Sequence, residues 1–405
     1  MFISRPIKIK IIVLLFAAVL AFATVAFFKI NKQPVKLLDF AAEAKNLQEQ
    51  CAQDAQKQNC YRQKFSKLAL ENGFEFASQT LKELQLLDSQ TRQCHGLAHI
   101  ISIAAVKRDP NSWQQLIKKA DISMEGCAGG FLHGIVEGHL AFDSSFTINA
   151  QSLTQTCGSL PKLTSTACAH GFGHMLIFQT EDDIEKAAAV CGQVGPLAFE
   201  CYNGMFMENA FKDMLFEHGL ITNHPNPTKD AQSFAQVKKQ CENFKNNLEA
   251  SEACWSNLGH IIAEYYQYDQ KQVYSACQKA PHKAQARLCY FRAISSLVIS
   301  EKFSPTAEKL SLCTPYAEDL KAYSKCARYV AATLIYHSTT YAQKTADYCL
   351  GLLYEAQEGC FKAVGFMLSQ RLDAKNLQTA CENFPKNYLH LCLTPKPDED
   401  IFSAF

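Results

Sequence analysis

The chain has 405 residues, of which 48% are hydrophobic, and a formal net charge of +1 from 40 basic and 39 acidic side chains. A chain this apolar is not intrinsically disordered, and its length suffices for two globular domains or one extended repeat array. The balanced charge excludes the strong basic field that draws proteins to nucleic acid, so we expect no nucleic-acid partner.

An apolar segment near the start predicts export. Basic residues flank an uncharged run of eighteen residues from Ile11 to Phe28. This length is near the lower limit for a transmembrane helix and exceeds the usual apolar core of a cleaved signal peptide. We expect residues 1–10 in the cytoplasm, 11–28 as a transmembrane signal-anchor, and a single-pass inner-membrane protein whose bulk lies in the periplasm or extracellular space. The Ala21-Phe22-Ala23 sequence resembles a signal-peptidase site, so cleavage stays open.

The eighteen cysteines are an even number, which in an exported chain indicates disulfides. Zinc is the alternative, but the C-x2-C spacing of zinc knuckles is absent. We predict that neighbouring cysteines pair along the chain. The nine pairs are Cys51 with Cys60, Cys94 with Cys127, Cys157 with Cys168, Cys191 with Cys201, Cys241 with Cys254, Cys277 with Cys289, Cys313 with Cys326, Cys349 with Cys360, and Cys381 with Cys392.

The cysteines also reveal a repeat. From Cys157 onward, most steps between the first cysteines of successive pairs are 32 to 36 residues, a period typical of helix-pair solenoids. Strand patterns are scarce. We therefore predict an all-α chain, an α/α superhelical solenoid of disulfide-linked helix pairs preceded by the N-terminal transmembrane helix. Its predicted parts are a helical region with degenerate repeats at 29–150, disulfide-linked repeats at 151–395 and a tail at 396–405. The longer step after Cys191 predicts an inserted loop around 216–233.

The later repeats resemble a known architecture. The repeats carry sequences such as Thr379-Ala380-Cys381 and Gly359-Cys360 at the period of 32 to 36 residues. In this they are similar to the tetratricopeptide-like, cysteine-rich helical repeats of secreted bacterial proteins. The likeness covers residues 151–395, without that family's glycine-rich turn and regular alanine pattern. It implies one disulfide per repeat, a right-handed superhelix and partner binding on the concave face. It implies no activity.

Histidines recur at fixed positions after the cysteines. Two residues after Cys168 stands His170, and four further on stands His174; His95 and His99 form a second pair at this spacing. Such residues share one helix face, and paired imidazoles on one face suit a divalent metal. The sixth position after the second cysteine reads, repeat by repeat, His133, His174, Met207, His260, Ser295, Ala332 and Phe366.

Carboxylates accompany these histidines, since Glu137 and Glu264 each follow a histidine by four residues and Glu208 adjoins Met207. With the thiols in disulfides, imidazole and carboxylate remain as ligands, which suits zinc, copper or iron as cofactor. The predicted metal-ligand set is His95, His99, His133, Glu137, His170, His174, Glu208, His260 and Glu264. We expect His99, His133, His174 and His260 to face one cavity. His139 lies off the shared face, and His282, His337 and His390 lie outside the pattern.

Two functions follow from these patterns. The first is a metal-binding protein or metalloenzyme, with a glutamate as ligand or general base. The second is a non-catalytic periplasmic scaffold, in which the histidines are structural and the concave face binds a protein or a cell-wall fragment. The sequence contains no G-x-S-x-G, P-loop, dinucleotide fingerprint or H-E-x-x-H, so we assign no catalytic residue. Whether the chain is an enzyme stays open, as do its substrate and the number of metals.

Overall fold

The computed structural model describes residues 39–54, 56–88, 91, 94–120, 127, 129–143, 145–211, 231–299, 311–337 and 339–395. The predicted signal-anchor at 11–28, the tail at 396–405 and nearly all of the predicted inserted loop lie outside these residues. Within the described ranges, none of the helices combines the length and apolarity that crossing a membrane requires.

The described chain is all-α, as the sequence predicts, with nineteen α-helices and no strand in the parts that the structure describes. Their bounds are α1 Phe40–Cys51, α2 Lys57–Asn72, α3 Phe74–Leu87, α4 His95–Arg108, α5 Trp113–Lys119, α6 Gly130–Phe142, α7 Ala150–Cys157, α8 Lys162–Gln179, α9 Ile184–Cys191, α10 Ala198–Phe211, α11 Ala231–Asn243, α12 Leu248–Tyr265, α13 Gln270–Cys277, α14 Lys283–Ile299, α15 Leu320–His337, α16 Ala342–Leu350, α17 Tyr354–Ser369, α18 Ala374–Cys381 and α19 Leu389–Leu393.

Short helices of one kind recur along the chain and end at a cysteine. Asp183, Asp269 and Asp373 each cap such a helix by accepting a hydrogen bond from the backbone N–H three residues on. An aspartate at this position stabilises a helix by about 1 kcal/mol because it pairs an otherwise free N–H group. Each of these helices ends eight residues after its cap, at Cys191, Cys277 and Cys381. The cap therefore fixes the position of the cysteine at the end of the helix.

In the repeats at 151–395, the second cysteine of each pair lies inside the next helix and not at its start. The sequence suggests that this cysteine opens its helix, yet α8 begins at Lys162, before Cys168, and α17 begins at Tyr354, before Cys360. Apolar and polar residues before the cysteine continue the helical pattern, so the helix starts earlier. The histidines that follow Cys168 consequently lie in the middle of α8.

All nine predicted disulfides are confirmed, and the described residues include no free cysteine. The paired Cα atoms lie 4.9 to 5.7 Å apart, within the ordinary range for a disulfide. The Cys94–Cys127 pair closes the longest loop, with a separation of 33 residues. This many disulfides is typical of an oxidising, extracytoplasmic compartment.

The long helices pack in chain order, each on the next. Helix α4 packs on α6, α6 on α8, α8 on α10, and the succession continues to α19. Short helices pack against the long helix that follows them. Glycines stand where backbones approach most closely: a Cβ at Gly173, Gly259 or Gly365 would collide with a backbone oxygen of the next long helix. Because glycine has no Cβ, the helices can cross there in direct contact.

The disulfides should contribute most of the stability of a single repeat. The double variant Cys277→Ala and Cys289→Ala should lower the free energy of unfolding by about 3 kcal/mol, because closing a loop with a sequence separation of 12 restricts the unfolded chain by about that amount. Urea unfolding measures this loss, and dithiothreitol, which opens all pairs, should lower the melting temperature further. A melting curve that dithiothreitol leaves unchanged would contradict the prediction.

Candidate metal centre

Five histidine rings from three consecutive long helices form one cluster, with His133 of α6 at its centre. His133 has its ring centroid 5.2 Å from His95, 5.5 Å from His99, 5.1 Å from His170 and 5.2 Å from His174. Within each pair the centroids lie 4.8 Å apart. We call these five residues the histidine cluster.

The first pair lies on α4 and presents its two Nε2 atoms to each other at 3.2 Å. The His95 Nδ1 lies 2.9 Å from the carbonyl oxygen of Cys127, and the His99 Nδ1 lies 2.9 Å from Oε2 of Glu137. A carbonyl and a carboxylate only accept hydrogen bonds, so both Nδ1 atoms must donate.

This hydrogen bonding places a proton on Nδ1 of both rings. When Nδ1 of a neutral imidazole carries the proton, Nε2 carries the lone pair. Two lone pairs 3.2 Å apart repel each other unless a cation lies between them. That cation is either an added proton or a metal ion, and the arrangement suits both rings as metal ligands.

The second pair, on α8, repeats this order of groups. The Nε2 atoms of His170 and His174 lie 3.0 Å apart, and Nδ1 of His174 lies 3.0 Å from Oε2 of Glu208 on α10. In both pairs the first histidine is half-buried, while the second is buried and donates to a buried glutamate of the next long helix.

His133 lies between the two pairs and has an unusual polar atom. Its Nδ1 is buried and has no hydrogen-bond partner among the described residues. Leaving such an atom unpaired costs about 1 to 3 kcal/mol, which a ligand at this nitrogen would offset. Together, one nitrogen each from His95, His99 and His133 lies within 4.8 Å of the others, close enough that modest ring movements bring all three to one ion.

Burial keeps the central ring neutral. It lowers the pKa of His133 well below its ordinary value, and the four neighbouring imidazoles lower it further. The pKa of His170 is also lowered, first by burial and then by His174, Arg292 and His95. Neutral rings keep their lone pairs, and only neutral imidazole coordinates a metal.

Glycines on the facing helices bring the histidines together. A Cβ on Gly130 would lie 2.5 Å from the carbonyl oxygen of His95, and one on Gly134 would lie 2.5 Å from that of His99. Gly204 meets the carbonyl oxygen of His170 in the same way, and Gly171 packs against the His133 ring. The glycines that the sequence places beside the histidines thus allow the close helix contact on which the histidine cluster depends.

Other predicted residues have different surroundings. His260 is held by a serine, since its Nδ1 lies 3.0 Å from the hydroxyl of Ser296, and Glu264 is a partly exposed residue one turn further along α12. Neither belongs to the group of three potential ligands found within the described ranges. His139 stacks on Trp113 with ring centroids 4.1 Å apart, as expected for a histidine off the shared face.

Sequence reasoning missed two contributors to the centre. The carbonyl oxygen of Cys127 orients His95, and a backbone atom leaves no signal in the side-chain pattern. Arg292 of α14 acts electrostatically on His170 and on the half-buried Glu200, although it is at least 92 residues away in the chain. Its position three long helices after His170 could not be inferred from the histidine spacing.

These features define a disulfide-linked, all-α protein with a buried histidine cluster that can hold a metal ion. No family model, curated protein or solved structure matches this chain. Its chemistry is therefore inferred from its own residues.

The close contact between α4 and α6 should be sensitive to one methyl group. Gly134→Ala would place a Cβ against the backbone of His99 and should lower the free energy of unfolding by about 1 to 3 kcal/mol through overpacking. Gly359→Ala is the matched control, because its Cβ would meet only the flexible side chain of Arg328 at 3.2 Å. That variant should be neutral, or more stable by up to about 1 kcal/mol through helix propensity. Urea unfolding compares the two, and equal losses would refute the close contact.

Proposed function

We propose that this protein is an extracytoplasmic metal-binding protein whose centre is built on His95, His99 and His133. The observation that carries the proposal is the approach of two Nε2 lone pairs at 3.2 Å on His95 and His99, each ring fixed by its Nδ1 hydrogen bond. Two nitrogens bound tetrahedrally to zinc at about 2.0 to 2.1 Å lie about 3.3 to 3.4 Å apart. The 3.2 Å between the two Nε2 atoms is nearly the separation of two zinc-bound nitrogens.

Glu137 supports the same interpretation. A histidine that binds a metal through one nitrogen commonly donates the other N–H to a carboxylate, which orients the ring and makes it a stronger ligand. Glu137 occupies this position at His99 and is only 2% exposed. A buried carboxylate needs a nearby positive charge, and a metal on His99 supplies one without protonating the ring.

The ligand set favours particular ions. Imidazole nitrogens suit zinc, copper and iron(II), whereas calcium and magnesium require oxygen ligands. The thiols are closed in disulfides and do not compete for soft metals. We therefore propose zinc, copper or iron as the resident metal. An open fourth position on the ion would permit catalysis, with no substrate yet assigned.

We further propose the cellular setting that the sequence favours. The apolar run at 11–28 anchors the chain in the inner membrane as a single pass, and the disulfide-linked repeats form a superhelical solenoid on the far side. The consecutive packing of the long helices supports the solenoid, and the nine disulfides support an oxidising compartment.

A scaffold that binds a protein or a cell-wall fragment is the second candidate. A surface turn that exposes Leu350, Leu353 and Tyr354 favours it, since Tyr354 is 75% exposed and exposed apolar groups in proximity mark contact sites. This turn lies in the C-terminal repeats, away from the histidine cluster in the chain, so a scaffold role is compatible with the metal centre.

Metal content tests the proposal. Full-length protein produced in the periplasm and purified without chelator should contain zinc, copper or iron by elemental analysis. His133→Ala should weaken metal binding by more than the roughly 10- to 100-fold that loss of a ligand's hydrogen-bond partner causes, because it removes a ligand.

The matched control is His139→Ala, which removes another buried histidine from the same helix but leaves the histidine cluster intact. Its metal content should equal that of the wild type. Absence of metal in the wild type, combined with no uptake of added Zn²⁺ or Cu²⁺ after dialysis, would refute the proposal. Equal loss of metal in both variants would assign the effect to the fold rather than to coordination.

A further inference from the structure

We infer that the histidine cluster holds two metal ions, one at His95 and His99 and a second at His170 and His174, with His133 between them. The inference rests on the proposed metal-binding function and deepens it. Three ligand nitrogens already define the first position. The second position follows from a separate set of residues on α8 and α10.

The two pairs share one design. Each has histidines four residues apart on one helix, with Nε2 atoms 3.2 Å apart in the first pair and 3.0 Å apart in the second. In each, the inner histidine donates from Nδ1 to a glutamate of the next long helix, at 2.9 Å and 3.0 Å. Histidines that only pack need not agree in order, spacing and carboxylate partner. Two equivalent pairs of metal ligands would show this agreement.

The glutamates give the second position the same buried carboxylate partner as the first. Glu208 is 3% exposed and Glu137 is 2% exposed, so each inner histidine has its own buried carboxylate. One negative charge beside each ion lowers the repulsion between two dications in one cluster.

His133 joins the two positions. Its ring centroid lies 5.1 to 5.5 Å from all four paired histidines, so one imidazole borders both pairs. A neutral imidazole offers one lone pair, so His133 could bind both ions only after its N–H proton is released to water as the second ion binds. Five imidazoles cannot fill two four-coordinate ions, and the remaining positions would take water or hydroxide.

The stoichiometry of metal binding tests the inference. Full-length protein, stripped with a chelator and dialysed against Zn²⁺ alone, should bind two ions per chain. The double variant His170→Ala and His174→Ala should bind one, and so should the double variant His95→Ala and His99→Ala. Circular dichroism checks that each variant keeps its helices.

The outcomes separate this inference from the proposed function. One ion in the wild type, still present after His170 and His174 are replaced, would overturn the second position while the first stands. In that case the two rings share only a neutral hydrogen bond. No ion in the wild type would overturn both proposals, and loss of all metal in the His170 and His174 variant would indicate one shared ion.

A gentler change avoids disturbing the cluster. Glu208→Gln keeps a hydrogen-bond acceptor of the same shape but removes its charge, and it should weaken one of the two binding events by roughly 10- to 100-fold and spare the other. Glu137→Gln should weaken the other event instead, and Glu249→Gln on the surface should change neither. Equal effects of Glu208→Gln on both events, or none, would contradict two positions.

Loading with Cu²⁺ adds a spectroscopic measure. Two copper ions bordering one imidazole should couple magnetically, so the wild type should show a broadened or weakened electron paramagnetic resonance signal. Either double-histidine variant should give the ordinary signal of an isolated Cu²⁺. An isolated-ion signal from the wild type at two ions per chain would place the second ion elsewhere.

Discussion

Direct backbone contact between consecutive long helices, made at glycines, is the constraint on which the rest of the structure depends. Gly130 and Gly134 bring α6 against the backbone of α4, and Gly204 brings α10 against that of α8. At this separation, side chains beside the contact reach side chains of the next helix within hydrogen-bonding distance. His99 therefore reaches Glu137, and His174 reaches Glu208. Glycine costs about 1 kcal/mol per position relative to alanine in a helix, and the disulfides and caps offset that loss.

The same contact places buried carboxylates beside buried imidazoles. Two carboxylates and five imidazoles lie together in a largely buried space, where an unpaired charge is expensive. Burial and mutual repulsion lower the pKa of His133 and His170, so these two rings stay neutral. The metal that we propose would add positive charge beside the two carboxylates. The half-buried His95 and His170 are the members of the histidine cluster most open to solvent.

Much of the architecture could be predicted from sequence because the cysteines are regular and local. Each predicted disulfide joins neighbours, so no long-range information was needed. The helix starts were harder to predict, since Cys168 lies well inside α8. The capping residues Asp183, Asp269 and Asp373 each stand eight residues before a cysteine. This spacing in the sequence would have predicted where the short helices begin. His260 shows the limit of alignment: its position matches that of His174, but its neighbour is Ser296, and only packing reveals a neighbour's identity.

The later repeats show that the fold itself does not require histidine on this face. Phe291 and Ser295 occupy in α14 the positions of His170 and His174, and Phe291 packs its ring 4.2 Å from that of Tyr329. Ala332, the equivalent of His174 in the next repeat, is fully buried. Apolar contacts thus stabilise the same helix crossing without the desolvation cost of imidazoles and carboxylates. Because the chain contains both kinds of packing in one fold, the polar side chains of α4, α6 and α8 are not needed for the helix crossing itself, which is consistent with the metal-binding role that we propose for them.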